Sequence, residues 1–378
     1  MEYAFAYRFF NVSERNGKTM ENYRILVINP GSTSTKVGVF EGETCLYEGT
    51  VRHSREELDK FPGIIDQAPM RMELIKSQLK ENNIDLASID GFIGRGGIVK
   101  PMLSGTYTVN DKLLYDLENL PSALSHASCL GGVFARELGE EYNKPYFIAD
   151  PVVVDERTQI AKLTGLPGVE RPCVFHCLNQ KAVVRRYCKE NGKKFDEANV
   201  IVAHMGGGIT VGAHCRGMVI DVNDGINGEG PYSPERLGGM PVTVVLDLLK
   251  EGKYTIEQMG KLCSKAGGFV AHFGTNSALE VENRALAGDE QAKLVFDGVG
   301  YNVAKTIGSM AAVLKGEVDA VILTGGLAYS KYICNYIKEM IGFIAPVCVY
   351  PGEGELEALA ASAIRVLSGE EKAKEYQG

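Results

Sequence analysis

The sequence predicts an α/β protein built from two related lobes, and three observations support this. The chain has 378 residues, more than one ordinary hydrophobic core accommodates, so two domains are the default. A glycine-centred hairpin pattern occurs twice, at 25–40 and at 200–222. In both halves apolar strand-like runs alternate with helical segments, which is typical of a mixed sheet covered by helices.

Each hairpin pattern is an apolar run, a turn of small residues, and a second alternating run. The first reads ILVINPGSTSTKVGVF and the second VIVAHMGGGITVGAHCRGMVIDV. Such turns expose backbone N–H groups and can form a concave nest for phosphate oxygens. Two nests in one chain, each opening a lobe, predict a nucleotide held between two related halves.

The first half continues with elements defined by apolar spacing. Helical spacing is clearest at 64–82, where Ile64, Met72, Ile75 and Leu79 recur on one face. The run KPYFIAD is instead typical of a buried strand that ends in an acid. The predicted order is a strand at 45–52, helices at 56–58 and 64–82, a strand at 89–98, helices at 111–120 and 126–142, and a strand at 144–150.

The second half repeats this order around its own glycine hairpin. Its longest helix, at 292–314, places Val295, Val299, Val303 and Ile307 on one face. The run DAVILTGGL is typical of a buried strand that opens onto two glycines. The predicted order is a helix at 178–191, the hairpin, helices at 242–251, 255–265, 279–288 and 292–314, strands at 319–327 and 345–350, and a closing helix from 355.

These elements divide the chain into three parts. Residues 1–22 are predicted to be an N-terminal extension, because they carry charges throughout and lack the apolar core of a secretory signal; Met20 is an alternative start. Lobe I is predicted to comprise 23–160 together with 355–378, whose helix crosses back onto it. Lobe II comprises 161–354.

Composition excludes several classes of function. A net charge of −8 argues against a nucleic-acid partner, since basic patches supply most of that affinity. No apolar run approaches the roughly 20 residues that span a bilayer, so no membrane partner is expected. The nine cysteines form no CxxC pair and indicate reduced thiols, which predicts a cytoplasmic protein.

Nine stretches of the chain carry a family resemblance, and together they span about residues 24–368. The most specific are IGRGGIVKP, PYSPERLGGMP and GTNSALEVE; the glycine hairpins and ILTGGLA are weaker signals. These stretches resemble the acetate, propionate and butyrate kinase family of the actin, sugar-kinase and Hsp70 superfamily, most closely its butyrate kinase branch. The resemblance implies two ribonuclease-H-like lobes, each a mixed five-stranded sheet with helices, that flank an ATP cleft.

The resemblance also implies a reaction. The γ-phosphoryl group of ATP is transferred reversibly to butyrate or a short branched-chain acid, giving ADP and the acyl phosphate. The acid is already ionised at neutral pH, so no general base is required. Such a site must instead hold two anions together and neutralise charge on the moving group, which calls for arginines, neutral donors and a metal ion.

Five residues are candidates for catalysis. Asn29 ends the first strand and can donate its amide to the phosphoryl group, and Arg95 ends another strand, where its guanidinium can contact carboxylate and phosphate together. By resemblance, Arg236 stabilises charge and His176 donates to phosphoryl oxygens. Asp150 ends a buried strand, where an unpaired carboxylate would be costly.

Other residues are assigned to the ligands of the reaction. By resemblance, His126 binds the acid together with Arg95, while Glu355 binds Mg²⁺, the cofactor expected with ATP, and Asp150 reaches it through water. Glu353 is the alternative metal ligand. The candidates for ATP binding, through backbone amides, hydroxyls, the ammonium group or close approach, are Ser32, Ser34, Lys36, His204, Gly206, Gly207, Gly208, Asn276, Gly325 and Gly326.

Alternative functions remain open at this point. Acetate or propionate could be the acceptor, because these acids differ from butyrate only by methylene groups. A sugar or polyol kinase would need a base, for which Asp150 could serve. A nucleotide-gated protein of the actin or chaperone type would need a peptide groove or a filament surface. The resemblance further implies a homodimer or a larger homo-oligomer.

Overall fold

The structure is a computed structural model, and it describes residues 19–119 and 126–378. The predicted extension at 1–22 and the end of the helix predicted at 111–120 lie partly outside the described residues. In the described part of the chain, no helix is both long enough and apolar enough to cross a membrane.

The secondary structure follows the predicted alternation. The strands are β1 Arg24–Pro30, β2 Ser34–Glu41, β3 Thr44–Arg52, β4 Gly91–Arg95, β5 Thr106–Thr108, β6 Tyr146–Ala149, β7 Asn199–Met205, β8 Ile209–Cys215, β9 Met218–Val222, β10 Ala320–Gly325, β11 Val347–Pro351 and β12 Lys374–Glu375. The α-helices are α1 Arg55–Leu58, α2 Ala68–Glu81, α3 Asp111–Glu118, α4 Leu130–Tyr142, α5 Gln159–Lys162, α6 Cys177–Glu190, α7 Val242–Lys250, α8 Ile256–Lys261, α9 Gly268–Phe273, α10 Ala278–Leu286, α11 Glu290–Val313, α12 Lys331–Ile341 and α13 Glu355–Leu367. Short 3₁₀ helices occur at Met20–Asn22, Ile65–Gln67, Leu86–Ser88, Ala127–Cys129 and Gly326–Tyr329, and a π-helical segment at Leu262–Ala266.

The chain forms two compact units, each with its own mixed sheet. The first comprises the described residues up to Val152 together with Gly354–Gly378, and the second Val153–Glu353. The strand orders are β12-β5-β6-β4-β1-β2-β3 and β11-β10-β7-β8-β9. The α/β fold class is confirmed, whereas the lobe boundaries proposed from the sequence stay a prediction.

The two sheets share one pairing scheme over five strands. In the first, β3, β2 and β1 pair antiparallel and β1, β4 and β6 pair parallel. In the second, β9, β8 and β7 pair antiparallel and β7, β10 and β11 pair parallel. The first sheet has seven strands rather than the predicted five, because β5 and β12 extend it beyond β6.

The central strand of the first unit is buried on both faces. Leu26 and Ile28 pack with residues of α2 and α4, whereas α13 lies against the other face of β1. Side chains alternate along a strand, so Asn29 lies on the α13 face. This arrangement delivers a polar side chain from the end of a buried strand to the beginning of α13.

The central strand of the second unit, β7, is also buried on both faces. Ile201 and Ala203 of β7 pack in the cluster that includes the predicted apolar face of α11, while Val200 and Val202 pack with residues of α6. Helices therefore cover both faces of β7. Met205, the last residue of β7, is fully buried and directly precedes the glycine turn.

Candidate active site

The first glycine turn has its carbonyl groups directed into the protein. Arg71 donates to the carbonyl oxygens of residues 31 and 32, at 2.8 and 2.9 Å. The backbone N–H of His53 donates to the carbonyl oxygen of residue 33 at 2.9 Å, and the N–H of Gly31 donates to that of residue 34 at 2.7 Å. Within the described residues, the N–H groups of residues 32 and 33 donate to no protein acceptor. The turn therefore presents amides to an anion, as an anion nest requires.

Strand alternation shows which face of the sheet two of the three predicted side chains of this turn occupy. Lys36 pairs directly opposite Asn29 between β2 and β1, so it shares the α13 face, and Ser34 lies on the same face of β2. Ser32 is exposed in the turn itself. Thr35, between them, points to the other face, where its hydroxyl lies 3.0 Å from Nε2 of His53. Ser34 and Lys36 can therefore act together, beside Asn29.

A three-residue polar cluster, Asn29, Arg95 and Glu355, joins β1, β4 and α13. Asn29 Nδ2 donates to Glu355 Oε2 at 2.7 Å, and Arg95 Nη1 lies 2.8 Å from Oε1 and 3.0 Å from Oε2 of the same carboxylate. The structure thus brings three of the predicted site residues together. The sequence did not predict that Arg95 would be ion-paired with the candidate metal ligand.

Asp150 lies directly after β6, whose last residue is paired with Arg95. Its side chain is 8% exposed, and Oδ1 accepts hydrogen bonds from Ser104 Oγ and the Gly105 N–H, both at 2.7 Å. Its φ of +41° is in the left-handed region, which is strained for a residue other than glycine. Neutral donors stabilise this carboxylate, and the described residues supply no lysine or arginine salt bridge to it.

His126 begins the short 3₁₀ helix that leads into α4. Its Nδ1 accepts the N–H of Ser128 at 3.2 Å and lies 2.9 Å from the Ser128 hydroxyl. Burial, and then the positive charge of Arg95, lower the pKa of His126. The ring is therefore neutral at pH 7, and because Nδ1 is an acceptor the proton lies on Nε2. His126 is thus a neutral hydrogen-bond donor that is influenced by the positive charge of Arg95.

The second glycine turn is also held by its carbonyl groups. The carbonyl of Gly207 accepts from Ser233 Oγ at 2.5 Å and from the Glu235 N–H at 3.2 Å. Gly206 donates its N–H to the Gly208 carbonyl at 3.0 Å, so this amide is used inside the turn. Among the described residues, no acceptor receives the N–H groups of Gly207 and Gly208. The predicted three-amide cradle is thus reduced to two.

Arg236 packs directly on this turn. A Cβ atom at Gly208 would lie 1.9 Å from Arg236 Nη1, so only glycine permits the contact. Nη1 donates to the Gly225 carbonyl at 2.6 Å, while the buried Nε has no partner among the described residues. Burial lowers the pKa of Arg236, and the charges of Glu235 and Asp224 oppose this only partly. Arg236 forms no ion pair with the described residues, and such a cation beside open amides suits an anionic ligand.

Two predicted histidines stack in the second unit. The rings of His176 and His204 lie 3.8 Å apart and 10° from parallel. His204 Nδ1 is 2.7 Å from Asn179 Oδ1, and His176 Nδ1 is 2.9 Å from Thr210 Oγ1. The stack fixes both rings beside the strand end that carries the glycine turn.

A buried chain of hydrogen bonds sets the proton of His176. Gln180 Nε2 donates to Thr210 Oγ1 at 3.0 Å, and His214 Nε2 lies 2.9 Å from Gln180 Oε1. The Thr210 hydroxyl accepts from Gln180 and, at 3.5 Å, from the backbone N–H of His176, which leaves its own proton for His176 Nδ1. In neutral His176 the proton is therefore on Nε2, which makes this atom a donor. Sequence reasoning missed Gln180 and Thr210.

Two of the remaining predicted ATP residues, Gly325 and Asn276, lie beside the second turn. Gly325 has a φ of +86°, and a Cβ there would lie 2.5 Å from the carbonyl oxygen of Met205. Gly326, in contrast, has open space at its Cβ position. Asn276 Nδ2 donates to Glu235 Oε1 at 2.7 Å, which links it to the turn.

Glu353 and Glu355 belong to different clusters. Glu353 Oε1 would lie 3.7 Å from a Cβ at Gly206, and its carbonyl accepts from Asn179 at 2.6 Å. Glu353 is therefore part of the second unit's site. Glu355 belongs to the polar cluster of the first unit, with Asn29 and Arg95.

Solved structures identify the class of the fold. The crystal structure of Porphyromonas gingivalis acetate kinase superposes with a TM-score of 0.75 over 91% of this chain and 99% of that one, at 20% sequence identity. The fold is therefore that of acetate kinase.

Sequence comparison identifies the family. Residues 166–341 match the acetokinase family. Butyrate kinase 1 of Clostridium acetobutylicum is 49% identical over 355 residues, which cover 94% of this chain and 100% of that protein. Butyrate kinase 2 of the same organism is also 49% identical, over 94% of this chain and 99% of its own length. The chain belongs to the acetokinase family, and the resemblance stated above is confirmed.

Proposed function

We propose that this protein is a carboxylate kinase that transfers the γ-phosphoryl group of ATP to butyrate or a short branched-chain acid. The products are ADP and the acyl phosphate, and the reaction is reversible. The observation that carries this is the open glycine turn with a half-buried arginine packed on it, Arg236 on Gly208, which forms no ion pair with the described residues. Close similarity to two butyrate kinases supports the choice of acid.

The polar cluster of the first unit supports binding of the acid. Arg95 offers the guanidinium that a carboxylate requires, and His126 offers an Nε2–H donor within its field. Arg95 is paired with Glu355 in this structure, so the carboxylate of the substrate competes with that of Glu355 for one cation. Asn29 donates its amide to an oxygen at the same place.

The second unit supports binding of the nucleotide phosphates. The two open amides of Gly207 and Gly208 hold phosphate oxygens, and Arg236 supplies the positive charge beside them. The Nε2–H of His176 donates to an oxygen of the transferred group. Charge spreads over these oxygens in the transition state, where preorganised donors are most effective. Gly325 and Asn276 lie close enough to the turn to contact the nucleoside.

The residues present also fit Mg²⁺, which prefers oxygen ligands and keeps part of its shell for water and nucleotide. Glu355 and Asp150 supply carboxylates at neighbouring strand and helix ends, and Asp150 is held by neutral donors rather than by a cation. When bound, the ion would neutralise charge on the phosphates. Release of Glu355 from Arg95 would free its oxygens for this role.

We also propose that the protein works in the cytoplasm. All nine cysteines are free, which supports a reducing compartment such as the cytoplasm. We propose a homodimer or a larger homo-oligomer, with ATP and short-chain acids as the only other partners.

The test is acyl phosphate formation from a series of acids. The purified chain is incubated with Mg-ATP, hydroxylamine and straight or branched C2–C6 acids, and hydroxamate is quantified. We expect the highest kcat/KM with C4 acids, falling about fourfold for each methylene removed, since a buried methylene contributes about 0.8 kcal/mol. No hydroxamate with any acid refutes the proposal. ADP release that depends on a sugar identifies a sugar kinase instead.

A pair of arginine variants locates the chemistry. Arg236→Lys should lower kcat by about 10²–10³, because a charge-stabilising donor is lost. Arg186→Lys is the matched control, since its side chain is 59% exposed on α6. Equal activity of both variants would show that the site has been misplaced.

A further inference from the structure

Arg71, on α2, is a buried arginine that sequence reasoning overlooked. It is 1% exposed, and its guanidinium makes hydrogen bonds in three directions. Nη1 and Nη2 donate to the carbonyls of Gly31 and Ser32, while Nε and Nη2 donate to Gln67 Oε1 at 3.1 and 2.8 Å. No carboxylate of the described residues pairs with it.

A buried charge without an ion pair is costly, so a purely structural role would favour a neutral donor. Burial lowers the pKa of Arg71 to about 10, which still leaves it protonated at neutral pH. His53, which shares the Thr35 hydroxyl with Arg71, has its pKa lowered to about 4 by burial and then by the Arg71 charge, so it is neutral at pH 7 and adds no second positive charge. The Arg71 cation therefore holds the carbonyl side of the turn, opposite the side that presents the open amides.

The orientation of the loop depends on this arginine. Among the described residues, Arg71 is the only donor to two of the four carbonyl oxygens at residues 31–34. Without these bonds, the peptides 31–32 and 32–33 are free to rotate. Rotation would exchange the exposed N–H groups for carbonyl oxygens, which repel phosphate. Arg71 thus keeps the donor side of the turn exposed.

We propose that Arg71 is a positioning residue for phosphoryl transfer, which acts by fixing the carbonyls of Gly31 and Ser32 so that the turn presents its amides to a phosphate oxygen. The inference rests on the proposed function for its kinetic part. It also makes a claim about phosphate binding that does not depend on the identity of the acid.

Arg157 offers a matched control in the second unit. It is 5% exposed and also donates to two backbone carbonyls, those of Pro172 and Arg171, at 3.0 and 2.9 Å. Unlike Arg71, it has a carboxylate partner, Asp155, and it lies outside both glycine turns. Arg71→Lys and Arg157→Lys therefore each remove a guanidinium that binds two backbone carbonyls at an almost fully buried site.

The experiment measures kcat, KM for ATP and for butyrate, thermal unfolding, and the ratio of ADP to hydroxamate. Arg71→Lys should lower kcat about 100-fold, since a displacement of about 1 Å at a reacting group can cost this much. KM for butyrate should stay within threefold, and ADP should be released in excess of hydroxamate. Arg157→Lys should lose thermal stability without these changes. Gln67→Met, which removes an acceptor of Arg71, should lower kcat about threefold to tenfold in a folded protein.

A second readout uses hydrogen exchange of the peptide 25–40 with ADP and inorganic phosphate. Protection of the turn on addition of these ligands should occur in the wild type and be lost in Arg71→Lys. If the wild type makes no hydroxamate but shows this protection, the proposed reaction fails and the role of Arg71 stands. The inference is overturned if Arg71→Lys keeps both kcat and protection, or if Arg157→Lys matches its kinetic loss.

Discussion

Replacement of Gly208 by alanine should disable the site through Arg236 while the fold survives. A Cβ at Gly208 would lie 1.9, 2.2 and 2.7 Å from Nη1, Cζ and Nε of Arg236. Gly208 is not in the left-handed backbone region, so alanine is not strained there by its own φ. The guanidinium is the flexible end of a long side chain and is the group that must move.

The size of the effect follows from this geometry. Nη1 must retreat by about 1.5 Å to reach an ordinary contact of 3.4 Å. Because a misplacement of about 1 Å can cost about 10²-fold in rate, we expect kcat to fall at least about 10²-fold. Loss of the hydrogen bond from Arg236 to the Gly225 carbonyl should lower the free energy of unfolding by about 1.5–3 kcal/mol. Alanine also restricts the unfolded chain, which should raise this free energy by about 0.4–1 kcal/mol. A domain of this size should therefore melt only a few degrees lower.

The assay combines hydroxamate formation with thermal unfolding and uses two comparisons. Gly308→Ala, in the interior of α11 with nothing within 4 Å of its Cβ position, should keep kcat and gain about 0.5–1 kcal/mol in stability. In a double-mutant cycle, Gly208→Ala should add little to the loss already caused by Arg236→Lys. A Gly208→Ala enzyme within threefold of wild-type kcat, or additive losses in the cycle, would refute the reasoning.

Two further predictions concern stability. Lys181→Met should cost about 3–5 kcal/mol in urea unfolding, because the Lys181–Glu156 pair is almost fully buried at 2.6 Å and the variant removes the cation from a buried carboxylate. Adding Glu156→Gln should restore more than half of this loss, and no recovery would contradict the prediction. The pKa of His53 is lowered to about 4 by burial and the Arg71 charge, and that of His214 well below its ordinary value by burial and the Lys181 charge. Unfolded histidines take up protons near pH 6.5, so stability should be complete above that pH and fall toward pH 4 by about 1.4 kcal/mol per pH unit for each histidine. Urea unfolding free energies that are equal at pH 7.5 and pH 5 would exclude this effect.

Long periodic segments were predictable because their burial depends on their own pattern. The runs that form β1, β2, β7, β8 and α11 are covered on the faces that their apolar residues predict. Strands β5 and β12 have three and two residues, which is too short for an alternating pattern to be recognised in the sequence. They form because each pairs with the exposed edge of a neighbouring strand. Helix α12 was missed although Ile333, Ile337 and Ile341 are spaced for one buried face, so its signal was present.

The candidate site also has features that the sequence could predict and features that depend on the folded chain. Asn29 and Arg95 could be predicted because each ends an apolar strand, and strands that pair in parallel bring such ends together. The pairing of Arg95 with Glu355 could not, since 260 residues separate them. Gln180 and Thr210 look like ordinary polar residues until the fold closes a hydrogen-bond chain from His214 to His176.

A glycine-rich turn is therefore only half of an anion site. The sequence shows where small residues allow backbone amides to be exposed, but each peptide has a carbonyl opposite its N–H, and both cannot face one phosphate. The carbonyls must be held elsewhere, and here distant groups do so: Arg71 and His53 at the first turn, Ser233 and Glu235 at the second. These donors are 20 or more residues from the turns they hold, which is why no local pattern reveals them. A glycine hairpin whose carbonyls lack such donors should bind phosphate weakly, even with the same glycines.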